Sequence, residues 1–308
     1  MSQMKSANLA ITNRCNFNCS HCSVNAGINK KELSFNEINR IYKKLKKLGF
    51  EKIDIGGGEP LLRKDIVDIV SAAKRQGFEA KILTNGSLVS ENLLKKLNRA
   101  HLDGIAVSLD SVDFDTERKI RCINKKTFST VIKNIKNIKK FGFYTKINCV
   151  LCNSTMHRLN GLISFCEKNK IDELRICYFL PIGRGASFRR RELVPPLKWL
   201  KYIKKNLNSS KKTKIFVGAL IAKKGTKNTD CLVHNNENLD IFPDKKAYVC
   251  PVMKHQGKSA GKIDSLNLNV KHKRACFPLL KNFFRKNYIP KGYQFVCPLR
   301  KFLTADVT

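Results

Sequence analysis

The chain has 308 residues, 42% of them hydrophobic, enough for one large domain or two smaller ones, which excludes wholesale disorder. Sixty basic residues against 24 acidic ones give a net charge of +36. The lysines are spread along nearly every predicted helix, as in Lys43-Lys44-Leu45-Lys46-Lys47, with no confined basic tail or RNP motif, so a diffuse solvated surface is favoured over a dedicated nucleic-acid face. No apolar run approaches the ~20 residues of a membrane helix, and residues 1–14 lack the apolar core of a signal peptide. A cytoplasmic protein is expected, in which twelve cysteines point to metal rather than disulfides.

Residues 8–13 read as a short strand feeding a cysteine-rich loop. Ser34-Phe35-Asn36-Glu37 is a capping box, after which Ile38, Ile41, Leu45 and Leu48 share one helical face and Gly49 closes the helix. A second strand over 53–55 ends in Gly56-Gly57-Gly58-Glu59-Pro60, and a helix burying Ile66, Ile69, Val70 and Ala73 follows. Strand 81–84 ends at Asn85-Gly86, and Ser90 caps a helix carrying Leu93, Leu94 and Leu97. Strand 105–109 ends at Asp110 and is followed by a helix over 128–141. Strand 146–151, helix 156–168 and strand 174–180 complete the series. Such alternation predicts an α/β fold with parallel strands and right-handed crossovers. The polar motifs after strands one to four then gather on one rim, at the C-terminal strand ends. Beyond Gly183-Arg184-Gly185 the rhythm changes: a helix over 195–207 begins at Pro195-Pro196, and 239–250 reads as a hairpin. Two domains are expected, 1–190 and 191–308.

The organising stretch is Cys15-Asn16-Phe17-Asn18-Cys19-Ser20-His21-Cys22. Three thiolates in eight residues can hold three corners of an iron–sulfur cube and leave its fourth iron open to a small molecule. A closed zinc site using His21, or a run of core cysteines, are the other readings. In Gly57-Gly58-Glu59, glycines let backbone approach a ligand closely and a carboxylate can take a charge-assisted bond from an ammonium. Scattered core cysteines would not predict this convergence of polar motifs.

The C-x3-C-x2-C spacing with the following Gly-Gly-Glu resembles the radical SAM superfamily. The resemblance implies a partial (β/α)6 TIM-like barrel. Cys15, Cys19 and Cys22 would ligate a [4Fe-4S] cluster whose open iron takes the amine and carboxylate of S-adenosylmethionine (SAM). It places Gly57, Gly58 and Glu59 at the SAM amino group and Asn85 near the methionine carboxylate. Ser108 and Asp110 would approach the ribose and amino-acid part, and Asn148 the ribose. Residues 181–185 and His21 would lie on the adenine side. The later Cys231, Cys250, Cys276 and Cys297, around a hairpin with Cys-Pro steps, resemble the twitch form of the SPASM extension with one auxiliary [4Fe-4S] cluster. The wide gap between Cys276 and Cys297 departs from that pattern, and His255 and His272 are possible substitutes. Cys122, Cys149, Cys152, Cys166 and Cys177 remain. Positions three apart on a strand face opposite ways, so Cys149 and Cys152 are expected in the core, as is Cys166 on its helix.

The function this implies is reductive SAM cleavage followed by hydrogen abstraction from a substrate, a ribosomal peptide being favoured because a basic surface suits an acidic precursor. Neither end reads as a separate leader-binding domain. Alternatives are a small-molecule or cofactor-biosynthetic dehydrogenase of the same type and, from another class, a nucleic-acid-binding iron–sulfur protein. A flavodoxin- or ferredoxin-like electron donor is the implied partner. No catalytic acid, base or hydrogen donor stands out.

Overall fold

The computed structural model describes residues 5–207, 213–218, 221–223, 238–248, 254, 259–263, 293–295 and 302–303. Its first half repeats one unit, a buried strand and an amphipathic helix. The elements are β1 (Lys5–Thr12), α1 (Phe35–Lys47), β2 (Phe50–Gly57), α2 (Ile66–Arg75), β3 (Glu79–Thr84), α3 (Glu91–Arg99) and β4 (Gly104–Ser108). There follow α4 (Phe114–Arg121), α5 (Lys125–Lys140), β5 (Tyr144–Leu151), α6 (Asn153–Met156), α7 (Leu159–Lys168) and β6 (Glu173–Tyr178). Strands β1 to β6 pair in sequence order, all parallel. Along β1, Ala7, Leu9 and Ile11 are fully buried, while the alternate Asn8 is only half-buried, the period-two pattern of a strand covered by helices on one face. The helices supply the other side of that core through Ile38, Ile41, Leu45, Ile69, Leu94, Ile135 and Ile138.

The capping box at α1 is present as expected, with Ser34 and Glu37 bonding reciprocally. Two elements differ from the sequence reading. The helix expected over 156–168 begins only at Leu159, as α7; Met156 ends a separate short turn, α6, whose start is capped by the Cys152 N–H donating to Thr155 Oγ1 (2.9 Å). Helix α4 was not foreseen. Asp113 caps it by accepting from the Thr116 N–H (3.0 Å), but Glu117 and Arg121 are among its buried residues, so no apolar period announces it.

The sheet continues past residue 190. After α8 (Arg189–Glu192) and α9 (Pro196–Asn206), β7 (Lys214–Gly218) joins β6 in parallel. Then come β8 (Ile221–Lys223), β9 (Asn238–Ile241), β10 (Lys246–Tyr248), β11 (Gly261–Lys262), β12 (Tyr293–Phe295) and β13 (Phe302–Leu303). The expected hairpin is β9–β10, with Ala247 opposite Ile241. β9 also lies parallel to β1, from Ser6 opposite Asn238 to Leu9 opposite Ile241, while β13 adds antiparallel to β7. Strands from the later part of the chain thus flank both edges of the six-strand core. No helix among the described residues is long and apolar enough to cross a membrane.

A surface link ties the hairpin to the first unit, with Lys245 Nζ 2.9 Å from Glu37 Oε1. The Ser34 N–H and then Lys245 hold the Glu37 carboxyl down at about 2. A folded pKa below the unfolded one means that this stabilisation is complete above about pH 4.5 and fades as pH falls through about 2. Glu37→Gln should therefore cost about 0.5–1 kcal/mol at neutral pH and progressively less as pH falls from about 4.5 through about 2, measured by denaturant melts across that range.

Candidate active site

The loop after β1 is clamped from three sides. The first clamp is the glycine turn after β2. Gly58 N–H donates to Thr12 O and Glu59 N–H to Arg14 O, both at 2.8 Å, so the pairing of β1 with β2 runs on into the cysteine loop. A Cβ on Gly57 would lie 2.3 Å from Thr12 O, and one on Gly58 2.1 Å from Arg14 O. The close approach these glycines permit in the structure is that of the loop backbone itself. Glu59 is fully buried and accepts from Thr84 Oγ1 (2.7 Å), Leu61 N–H (3.0 Å) and Asn85 N–H (2.7 Å). Burial pushes its carboxyl up to about 7 against those bonds. Its side chain therefore joins the ends of β2 and β3. Asn85 carries the join onward, donating to Asn16 Oδ1 at 2.8 Å, while Asn16 donates to Ser87 Oγ at 2.9 Å.

The second clamp is ionic. Asp110, just past β4, is buried; its Oδ1 accepts from Val150 N–H (2.8 Å) and its Oδ2 lies 2.8 Å from Arg121 Nη2 and 3.3 Å from His21 Nε2. Arg121 also meets Glu117 Oε1 at 2.9 Å, and Glu117 Oε2 accepts from the Asp110 and Ser111 N–H groups. Burial works against the Arg121 charge, but Asp110 and Glu117 outweigh it and its pKa rises. Burial lowers that of His21, opposed by Asp110. His21 thus fastens the loop to Asp110. The Ser20 N–H donates to Ile120 O at 2.8 Å beside it.

The third clamp follows β6. Gly183, at φ +60°, sits where a Cβ would be 2.5 Å from Cys22 O. Arg184 donates from its backbone N–H to Cys22 O (3.0 Å), from Nε to Cys19 O (2.9 Å) and from Nη1 to Ala26 O (2.6 Å). Replacing Arg184 with alanine removes both side-chain bonds and should raise proteolytic nicking of the loop severalfold in the metal-free protein, at a global stability cost of about 1–3 kcal/mol.

Held this way, Cys15, Cys19 and Cys22 are free thiols, each partly exposed. Burial raises Cys15 and pushes Cys19 up to about 12, so as thiols they stay protonated, whereas a bound iron would take the thiolates. Phe17 N–H points at Cys15 Sγ and Ala26 N–H at Cys22 Sγ, each at 3.4 Å, the donor placement that supports a metal-bound sulfur. Among the described residues no three His, Cys, Asp or Glu side chains close around a single ion. A cube, touching each cysteine at a different iron, does not need them to.

Ser108 and Asn148 sit side by side on β4 and β5, and Asn148 Oδ1 is buried without a hydrogen-bond partner. Asp240 on β9 accepts from Asn8 Nδ2 at 2.8 Å, and burial raises its carboxyl to about 6. Lys254 lies over the Phe242 ring, 3.7 Å from its centroid, and burial lowers its pKa. Arg121, Glu117, Asp240 and Lys254 carry no motif, and an i, i+4 pair such as Glu117 and Arg121 reads in sequence like any solvated helix face. Cys149, Cys152 and Cys166 are core residues as expected. Cys231, Cys250, Cys276 and Cys297, with His255 and His272, lie outside the described residues.

A parallel α/β barrel that presents three thiols on a clamped loop at its C-terminal rim is the scaffold of a cluster-bearing barrel enzyme. The sequence pattern of the Radical SAM superfamily matches residues 9–166, just over half of the chain, and the chain belongs to that superfamily. An S-adenosylmethionine-dependent nucleotide dehydratase of Lacinutrix mariniflava is 35% identical over 192 residues, 59% of this chain and 40% of the relative. A probable GTP 3',8-cyclase of Methanococcus maripaludis is 32% identical over 197 residues, 63% of this chain and 65% of the relative. The chain spans less than two thirds of the length of either. In fold it is similar to Streptococcus suis SuiB bound to its precursor peptide SuiA, with TM-score 0.67, 17% identity and coverage of 93% of this chain and 69% of SuiB. It is also similar to anSMEcpe with bound AdoMet, with TM-score 0.67, 16% identity and coverage of 86% and 79%.

The cofactors of the superfamily are a [4Fe-4S] cluster and SAM. The three thiols, two of them with N–H donors, fit the cluster, and the unpartnered Asn148 oxygen fits a ligand bearing hydroxyl groups.

Proposed function

We propose that this protein cleaves SAM reductively and uses the resulting radical to abstract hydrogen from a peptide substrate. The observation that carries the first part is the clamped three-thiol loop with donors on two of its sulfurs. When bound, the cluster supplies the electron that splits the sulfonium of SAM into methionine and a 5′-deoxyadenosyl radical. The chain's own residues hold and orient. Cys15, Cys19 and Cys22 would ligate three irons. The backbone of Gly57-Gly58-Glu59 and the Asn85 turn line the rim where the amino-acid part would sit. Ser108 and Asn148 would face the ribose. Asp110, buried under its ion pairs, contributes by fixing the loop through His21 rather than by touching the ligand.

A peptide substrate is supported by the likeness to SuiB, which extends over 93% of this chain and so well beyond the cofactor-binding part, and by the +36 charge, which suits an acidic precursor. A nucleotide substrate is the second reading, favoured by the names of the two relatives at 32–35% identity. Cys231, Cys250, Cys276 and Cys297 would hold an auxiliary cluster. Anaerobic incubation of iron- and sulfide-reconstituted protein with SAM and a reductant should yield 5′-deoxyadenosine, and alanine at Cys15, Cys19 and Cys22 should reduce the yield at least a hundredfold. A wild-type protein that makes none would refute the proposal. Alanine at Cys231 and Cys250 should leave SAM cleavage in place.

A further inference from the structure

The two faces of the sheet differ in what they leave open. On β1, β2, β5 and β6 the residues turned to the helices are buried, while their alternates Asn8, Asp54, Asn148 and Arg175 keep partial exposure on the inner face of the barrel. Asn8 lies opposite Asp54 there, and Asn148 opposite Arg175. β9 adds one more position to this face, since Asp240 lies opposite Asn8 on its other side. Residue 240 falls outside the span 9–166, so the part of the chain beyond the superfamily pattern supplies it.

Asp240 is only 7% exposed, and its carboxylate accepts from Asn8 Nδ2 (2.8 Å) and Asn238 Nδ2 (3.3 Å). Both donors are neutral, and among the described residues no lysine, arginine or histidine is ion-paired with it. The inward lysines are paired elsewhere: Glu79 takes Lys52 and Lys81, and Glu173 takes Lys146. Asp54 and Arg175 share the face, one as a second anion, the other as a cation that opposes the upward pull of burial on the Asp240 carboxyl. A buried carboxylate held only by neutral donors keeps lone pairs to give and gains most from a cation.

We propose that Asp240 is a specificity residue, receiving the ammonium of a lysine side chain of the substrate on the inner face of the barrel. Asn8 and Asn238 orient the carboxylate for it. Each carboxylate oxygen already holds one donor, which suits a compact ammonium better than the two-pronged guanidinium of arginine. The inference rests on the peptide reading and names the side chain that the site selects. An acidic precursor is no obstacle, because its acidic segments meet the basic exterior while one basic residue meets Asp240 inside. The field of a chain carrying +36 repels cations in general, so a preference for one has to be local.

Isothermal titration of the reconstituted full chain, with SAM present and no reductant, compares three probes: Nα-acetyl-lysine amide, Nα-acetyl-norleucine amide and guanosine. The wild type should bind the lysine probe about tenfold or more tighter than the norleucine probe, which has the same chain without the charge. Asp240→Asn keeps the size of the side chain and should bring that ratio to about one, with a thermal melt to show that the variant is folded. A wild-type ratio near one overturns the proposal whether or not the variant folds. So does a folded Asp240→Asn that keeps the preference, or an equal loss in Asp54→Asn, which would move the role to the other carboxylate. Guanosine binding that depends on Asp240, with no preference for lysine, would assign the face to a nucleobase and overturn it too. A wild type that prefers the lysine probe but makes no 5′-deoxyadenosine once reductant is added refutes the radical reading, while the probe ratios still judge Asp240.

Discussion

Replacing Gly58 with alanine is expected to strip the protein of its cluster while leaving most of the barrel folded. The added methyl would lie 2.1 Å from Arg14 O and 2.7 Å from Arg14 C, and backbone atoms cannot rotate aside. The loop must therefore lift, breaking the Gly58–Thr12 and Glu59–Arg14 bonds that set its height above the sheet. Overpacking of this kind costs about 1–3 kcal/mol, and most of the described hydrophobic core lies away from it. Iron bound per chain after reconstitution should fall by about four atoms, one cube's worth, leaving only what the auxiliary cysteines hold, with far-ultraviolet circular dichroism near that of the wild type. Retention of full iron content would show that the loop has room the geometry denies it.

The second large effect is expected at Arg121. Its guanidinium is the counterion of two buried carboxylates, Asp110 and Glu117, at 2.8 and 2.9 Å. Arg121→Met deletes the cation but not the anions, and breaking a buried pair from one side costs about 3–5 kcal/mol. Asp110 would take up a proton or water, and His21, held to it at 3.3 Å, would lose its anchor. Thermal melts of the metal-free protein should show the loss, and Arg121→Lys should restore only part of it, since an ammonium does not span both carboxylates as a guanidinium fork does. If Met at this position left the melting temperature unchanged, the ionic clamp would not bear on stability.

These two sites differ in how plainly the sequence announced them. The cysteine octet, the Gly-Gly-Glu turn and Asn85 could be read directly, because strand ends in an α/β repeat are marked by a change from apolar alternation to turn residues. The order of strands and helices followed from the same periods, down to the Ser34–Glu37 capping box. Helix α4 escaped because a helix that buries Glu117 and Arg121 looks like a solvated one until its partner is known. The parallel seat of β9 beside β1 escaped because pairing across more than two hundred residues leaves no local pattern. Glu59 and Asp110 were rightly placed on the rim, yet residue type could not say that both carboxylates point into the protein. That depended on Thr84, Asn85 and Leu61 for one, and on Val150 and Arg121 for the other.

The most direct measurement is electron paramagnetic resonance of the reduced, anaerobically reconstituted protein before and after addition of SAM. A cube held by Cys15, Cys19 and Cys22 alone should give a [4Fe-4S]+ signal whose g values shift when SAM occupies the open iron, and alanine at any of the three should remove that component and the shift, leaving at most an auxiliary-cluster signal that SAM does not move. A spectrum that SAM leaves unchanged, or a SAM-induced shift that survives loss of all three cysteines, would contradict a SAM-binding cluster on this loop.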